Sequence, residues 1–323
     1  MSMSANPRPL RVITGPTGIG KTDLAMSLGA ESPLRVISAD SVMVYQHLDI
    51  GSAKPAAAEL AVCPHDLIDL VPPEHAFDAG QFVARAKMFI QSAWDRGQIP
   101  CLVGGTIMYL KSLLDGLDTL PTADPFIREQ IRSKAGSEGW PAIHAWLKDL
   151  DPDAADLIHP NHSSRIERAL EVRLVTGESI CSFWSGGRPD TSIGGQAVDL
   201  SVLALVPSDR EQLKDRLNQR FDSMLDRGFE AEVAALRQRP SLTLDCPSMR
   251  SVGYCQMWQY LDGDLSETEM KDQAKASTRQ LAKRQLTWLR SWRADTNTLI
   301  EVSDSIPVEK GKAWLSGVLD RVL

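Results

Sequence analysis

Short apolar runs, separated by polar or glycine-containing stretches, recur along the chain. Residues 10–14 (LRVIT), 34–38 (LRVIS), 66–71 (DLIDLV), 99–105 (IPCLVGG), 200–206 (LSVLALV) and 298–302 (TLIEV) read as β-strands. Between the early strands the spacing turns helical. Leu24 and Leu28 share one face, and residues 79–97 keep a helical period that stops at Gly97. Leu213, Leu217, Phe221, Met224, Leu225, Val233 and Leu236 continue that period later, with Gly228 dividing the stretch into two helices. Strands alternating with helices imply an α/β fold, a doubly wound parallel sheet with helices on both faces. Strand signals fade between about 120 and 198, where polar helices and turns take over. We read 120–198 as a helical insertion domain. Residues 1–119 and 199–323 then form the α/β core with C-terminal helices.

The 323 residues are 43% hydrophobic and 24% charged, as in ordinary water-exposed globular domains. No run reaches the length of a transmembrane helix. The opening MSMSANPRP lacks the apolar core of a secretory signal. A cytoplasmic, monomeric protein without a membrane partner is expected. The five cysteines form no CxxC pair, so reduced thiols are expected rather than disulfides or a zinc site. A net charge of −7 counts weakly against nucleic acid. Residues 275–293 (KASTRQLAKRQLTWLRSWR) run the other way, with Lys275, Arg279, Lys283, Arg284, Arg290 and Arg293 and no acid. Lys275, Arg279 and Lys283 lie at i, i+4 and i+8, one helical stripe that can track an RNA backbone. A merely solvated basic face accounts for the charge equally well. Trp288 and Trp292, four apart, would pack that helix onto the core.

Residues 15–22, Gly15-Pro16-Thr17-Gly18-Ile19-Gly20-Lys21-Thr22, fit G-x-x-x-x-G-K-[ST] between a strand and a helix. Such a loop turns backbone N–H groups and a helix N-terminus toward phosphate oxygens. Lys21 adds a mobile charge, and the Thr22 hydroxyl can bind Mg²⁺. The loop recognises phosphate, so kinase, NTPase and diphosphate-releasing transferase all stay open. Asp40 follows the second strand, on the edge where ligands of parallel sheets bind. It can act as a base, or it can cap a turn. The strand at 99–105 ends in Gly104-Gly105-Thr106, where a P-loop NTPase carries a Mg²⁺-binding acid, and this counts against ATP hydrolysis.

Several segments together resemble the bacterial tRNA dimethylallyltransferases (tRNA isopentenyltransferases). They are GPTGIGKT, SADSVMVYQHLDIGSAKP (38–55), LVGGTIMYLKSLLDGL (102–117), RFDSMLDRGFEAEV (220–233), PSMRSVGYCQMWQYL (247–261) and RQLAKRQLTWLR (279–290). The match spans nearly the whole chain in the expected order. It implies a P-loop NTPase-like core and transfer of a dimethylallyl group from dimethylallyl diphosphate to N6 of the adenosine 3′ to the anticodon, with diphosphate released.

The resemblance assigns roles. Asp40 is the base that orients and deprotonates N6, and Thr106 contacts the departing diphosphate. Lys21, Thr22 with Mg²⁺, and Arg220 hold that group. Contacts to tRNA, at its anticodon stem-loop, fall on Asp40, Ser41, Val42, Met43, Thr106 and Arg128. They continue through Ser164, Arg165, Ile166, Glu167 and Arg168 of the insertion. Later ones are Arg250, Ser251, Val252, Gly253, Tyr254 and Cys255, then Lys283, Arg284, Gln285 and Arg290. The insertion would grip the anticodon stem, and the target base would flip out of its stack. Pairing with Glu167 and Glu171 is the competing account of Arg165 and Arg168. CPHDLID (63–69) departs from the family pattern by carrying Asp66 after His65, and His65 is given no catalytic part. The zinc-finger pattern of eukaryotic relatives is absent. A P-loop kinase would share the loop, Asp40 and the sheet but leave the basic stretch unexplained. A non-catalytic RNA-binding switch would leave Asp40 and the Gly-Gly-Thr turn unexplained.

Overall fold

The computed structural model describes residues 6–116, 120–184, 192–295, 299–303 and 306–317. Six strands lie among them: β1 (Arg8–Thr14), β2 (Leu34–Ser38), β3 (His65–Asp66), β4 (Ile99–Gly104), β5 (Val198–Val206) and β6 (Leu299–Ser303). Every pairing is parallel, in the order β3-β2-β4-β1-β5-β6. The helices are α1 (Lys21–Gly29), α2 (Ala57–Val62), α3 (Ala79–Asp95), α4 (Ile107–Leu114), α5 (Pro125–Glu138), α6 (Trp140–Leu150) and α7 (Pro152–Leu157). They continue as α8 (Ser163–Thr176), α9 (Ile180–Trp184), α10 (Arg210–Asp226), α11 (Phe229–Arg237), α12 (Tyr254–Asp262), α13 (Glu267–Asp295) and α14 (Val308–Leu315).

Alternate residues of the central strands enter two separate cores, so both faces of the sheet are covered. Leu10, Val12, Ile37, Leu102 and Val202 point into a core shared with α3, α4 and α10 to α13. Ile13, Val36, Val103, Leu203 and Leu205 point the other way, against α1 and α14. This is why the strands read as almost unbroken apolar runs. The break between α10 and α11 falls at Gly228, whose φ of 94° ends the first helix.

The strand expected over 66–71 shrinks to the two residues of β3. Leu67 (φ 62°) and Asp69 (φ 53°) are left-handed, and a strand cannot run through them. Beyond those turns Val71 makes only an isolated parallel bridge, to Tyr45.

The chain divides into two compact units, Asp115–Asp190 and the remainder. The sequence pattern put this division at 120 and 198. Ile193 belongs to the core of the larger unit, and β5 begins already at Val198. The smaller unit has a core of its own, built on Ile131, Ile143, Leu147, Ile166 and Leu170. Much of the SGGRPDTSIGG segment lies outside the described residues. Among the described residues no helix is long and apolar enough to cross a membrane.

Candidate active site

The phosphate loop links the end of β1 to the start of α1 at the carboxyl edge of the sheet. Lys21 folds back under it, and its Nζ donates to the carbonyls of Gly15 (3.1 Å) and Pro16 (2.8 Å). Its pKa is lowered to about 8, mainly by burial, with Arg220 also lowering it and Asp40 opposing. Arg220, on α10, is likewise pushed down by burial and supported by Asp40 and Asp23. Two partly desolvated cations thus share one carboxylate close by. Such a site is short of negative charge, and an anion would relieve it.

Asp40 sits two residues beyond β2. Its Oδ1 accepts from the backbone N–H of Val42 (2.8 Å) and Met43 (3.3 Å), so it does cap the following turn. Oδ2 makes no hydrogen bond among the described residues and is free to accept one. Capping and chemistry are therefore compatible, since one oxygen fixes the carboxylate while the other is presented.

Beside Asp40, β4 delivers the Gly-Gly-Thr turn. A Cβ on Gly104 would lie 2.1 Å from the Ala39 carbonyl oxygen, so only glycine lets the two strand ends close. The Thr106 N–H donates to that same carbonyl at 3.2 Å. The Thr106 hydroxyl accepts from the Ser41 N–H (3.1 Å) and donates to Ser41 Oγ across a longer 3.3 Å. Lys21, Asp40, Thr106 and Arg220 therefore converge from four elements. Ser41, Val42 and Met43 follow on the turn that Asp40 caps, each partly exposed.

The remaining expected RNA contacts divide. Lys283, Arg284 and Arg290 are exposed on α13. Lys275 is not free, because it pairs with Asp222 on α10 at 2.7 Å. Arg279 donates to Asn218, also on α10. That half of the basic stripe fastens α13 to α10. The side chain of Arg293 lies outside the described residues. Trp292 is buried as expected, whereas Trp288 is 47% exposed and does not pack the helix down. Gln285 turns inward to the phosphate loop.

Within the insertion, Arg165 and Ser164 are exposed. Ile166 is fully buried, so its side chain has no surface to offer. Arg168 pairs with Glu171 at 2.5 Å, and Arg128 meets the same carboxylate at 2.8 Å. Glu167 pairs with Arg132 rather than with Arg165. Burial would raise the Glu171 pKa, but hydrogen bonds from Arg128, Arg168 and the Asp124 N–H hold it below the usual carboxylate value.

Of the VGY segment, Arg250 is largely exposed, and Ser251, Val252 and Cys255 are partly so. Gly253 and Tyr254 are buried. Direct RNA contact through the Tyr254 ring is ruled out by its full burial against Phe229, edge to face at 5.0 Å. Its hydroxyl donates to Glu232 at 2.6 Å. Glu232 also accepts from the N–H groups of Asp49, Ile50 and Gly51, at 2.6–3.2 Å. Sequence reasoning missed Glu232, because no local pattern marks a glutamate whose backbone partners lie some 180 residues away. His65 is on the edge strand, with Nδ1 on the Cys63 carbonyl and its pKa lowered by burial.

This arrangement places the chain among the P-loop α/β proteins that hold a phosphate ester and act on it with groups from neighbouring strand ends. The family is narrower. The model for IPP transferase matches residues 43–292, and the chain belongs to that family, the tRNA dimethylallyltransferases. It is 46% identical over 299 residues to the tRNA dimethylallyltransferase of Azoarcus sp. (strain BH72), covering 93% of this chain and 92% of that one. Similarity to tRNA dimethylallyltransferase 2 of Hahella chejuensis is also 46%, over 310 residues, 91% of this chain and 93% of the relative. Among solved structures, the tRNA isopentenylpyrophosphate transferase of Bacillus halodurans superposes with a TM-score of 0.68 at 32% identity, covering 97% of both chains. A eukaryotic dimethylallyltransferase acting on tRNA gives a TM-score of 0.76 at 26% identity, over 92% of this chain and 74% of that one. The family model begins at residue 43, so the phosphate loop and Asp40 lie ahead of it.

Proposed function

We propose that this chain transfers a dimethylallyl group from dimethylallyl diphosphate to N6 of the adenosine 3′-adjacent to the anticodon of tRNA, releasing diphosphate. The supporting observation is the charge arrangement of the site. Two partly desolvated cations, Lys21 and Arg220, stand at the phosphate loop and share the carboxylate of Asp40, with Asp23 also acting on Arg220. The cations suit a diphosphate, and the carboxylate suits an acceptor that must lose a proton.

The exocyclic amine of adenine is a weak nucleophile, because its lone pair is drawn into the ring. Asp40 Oδ2 would accept a hydrogen bond from N6, aim it at the allylic carbon, and take its proton as the C–N bond forms. The C–O bond to diphosphate breaks as negative charge builds on the leaving oxygen. Lys21, Arg220 and the loop amides would meet that charge, and they are in place beforehand. The Thr106 hydroxyl hydrogen, only loosely engaged by Ser41, can turn to a phosphate oxygen.

Thr22 would be the protein ligand to Mg²⁺, through its hydroxyl. Among the described residues no group of three or more acidic, histidine or cysteine side chains could cage a metal. Mg²⁺ is commonly held by one or two protein oxygens, substrate phosphates and water. Such an ion would neutralise the diphosphate as it leaves.

Exposed Lys283, Arg284 and Arg290 would follow the RNA backbone, with Arg250 and Arg165 as further phosphate partners. The anticodon stem-loop is the part of tRNA this reading requires. Asp40→Asn preserves the shape of the cap and removes the base. Single-turnover transfer to tRNA is expected to slow about 10²–10⁴-fold, with tRNA affinity little changed. Wild-type turnover in that variant would remove Asp40 from the chemistry.

A further inference from the structure

Gln285 lies on the basic helix α13 between cations expected to touch RNA, yet its amide is spent elsewhere. Its Oε1 accepts from the Thr17 N–H of the phosphate loop at 2.8 Å. Its Nε2 donates to the Gly105 carbonyl at 2.8 Å. One side chain therefore joins the two loops that line the diphosphate site, one after β1 and the other after β4. The fit is close: a Cβ on Gly105 would come within 2.4 Å of Gln285 Nε2 and 3.1 Å of the Gly15 carbonyl oxygen.

These bonds complete a continuous chain. Lys21 holds the Gly15 and Pro16 carbonyls, and the next amide, Thr17, goes to Gln285. Gln285 goes on to Gly105, the neighbour of Thr106, and Thr106 reaches Ser41 beside Asp40. A primary amide donates at one end and accepts at the other in a fixed plane. We propose that Gln285 is a positioning residue for prenyl transfer. It sets the spacing between the phosphate loop and the Gly105-Thr106 turn, and so the placement of Lys21 and Thr106 about the diphosphate, and it does not bind tRNA.

Three quantities separate positioning from RNA contact: the Kd for inorganic diphosphate measured by direct binding, kcat, and the Kd for an unmodified anticodon stem-loop. Gln285→Ala removes both bonds. Inorganic diphosphate is expected to bind about tenfold more weakly and kcat to fall by a similar factor, the order expected for two hydrogen bonds. The stem-loop Kd should stay within about twofold. Gln285→Glu keeps the size of the side chain and so guards against misfolding. Its carboxylate can still accept from Thr17, but it cannot donate to Gly105 and brings negative charge toward the diphosphate. It should bind diphosphate more weakly still than Gln285→Ala. Weakened stem-loop binding with unchanged diphosphate binding in both variants would overturn the proposal and make Gln285 an RNA contact. Parallel loss of both affinities, or of neither, would overturn it as well. Absence of transfer activity in the wild type would bear on the proposed function instead, on which this inference rests, since diphosphate binding is read without transfer.

Discussion

At Gly104 a single missing atom decides whether the site can assemble. The neighbour of its absent Cβ is backbone, the Ala39 carbonyl at 2.1 Å, and backbone cannot swing aside as a long side chain can. Gly104→Ala must part the ends of β2 and β4, which are the carriers of Asp40 and Thr106. Overpacking of this kind costs about 1–3 kcal/mol, a fall in Tm of several degrees for a domain of this size. Thermal unfolding with a transfer assay alongside checks this, and an unshifted Tm with full activity would contradict it. Residue identity revealed much here. The phosphate loop, Asp40 and the Gly-Gly-Thr turn were all legible, because each acts through backbone or chemistry that the local motif encodes. Tyr254 was not. It stands in a recognisable motif, but only the fold shows that its ring is packed on Phe229 and its hydroxyl committed to Glu232.

Among the elements, α8 and α5 are joined by a buried carboxylate holding two guanidinium groups. Glu171 is fully buried, and removing one partner of such a group typically costs about 3–5 kcal/mol. Glu171→Gln should therefore unfold the insertion at markedly lower denaturant. The pH dependence follows from the sign of the shift. Glu171 is held below its ordinary value of 4.5 in the folded chain, so its contribution is complete above that value. It is lost as pH falls through the lower folded value. Acid unfolding of the insertion below about pH 4.5 should lose part of its steepness in Glu171→Gln. Identical acid profiles would assign the sensitivity to other groups. The sequence had raised pairing of Arg168 with Glu171 as the competing account, and the structure favours it. Helical spacing made that pair visible, whereas the bond from Arg128 crosses between helices and was not visible.

Helix α13 splits in a way that charge alone could not foretell. Lys275 and Arg279 are held by α10, and Lys283 and Arg284 remain exposed. Lys283→Ala with Arg284→Ala should make the salt dependence of tRNA binding shallower by about 1.4–1.8 in log–log slope, as two lost phosphate contacts require. An unchanged slope measured by filter binding would take these residues off the RNA. Strand β3 offers the matching lesson for the sheet. DLIDLV has a strand's composition, but left-handed backbone at Leu67 and Asp69 cuts it short. Composition does not report a turn set by the packing of neighbouring segments.

Over the whole molecule, the parallel sheet brings residues distant in sequence to one edge. Lys21, Asp40, Thr106 and Arg220 meet because β1, β2 and β4 all end there and α10 returns beside them. The α/β order was legible, since apolar runs alternate with helical periods. The ties from Gln285 to the phosphate loop and Gly105 and from Glu232 to Ile50 were not, because they span 180 to 268 residues and leave no local trace. The account rests on one claim about this edge: the phosphate loop grips what is discarded and not what is delivered. The direct test mixes protein, Mg²⁺, unmodified tRNA and dimethylallyl diphosphate labelled in the allyl group, with γ-labelled ATP as donor in a parallel reaction. Allyl label in tRNA with release of diphosphate, and no phosphate transferred from ATP, is the predicted result. No allyl label in tRNA, but phosphate moving from ATP to an acceptor, would contradict the account and make the chain a kinase.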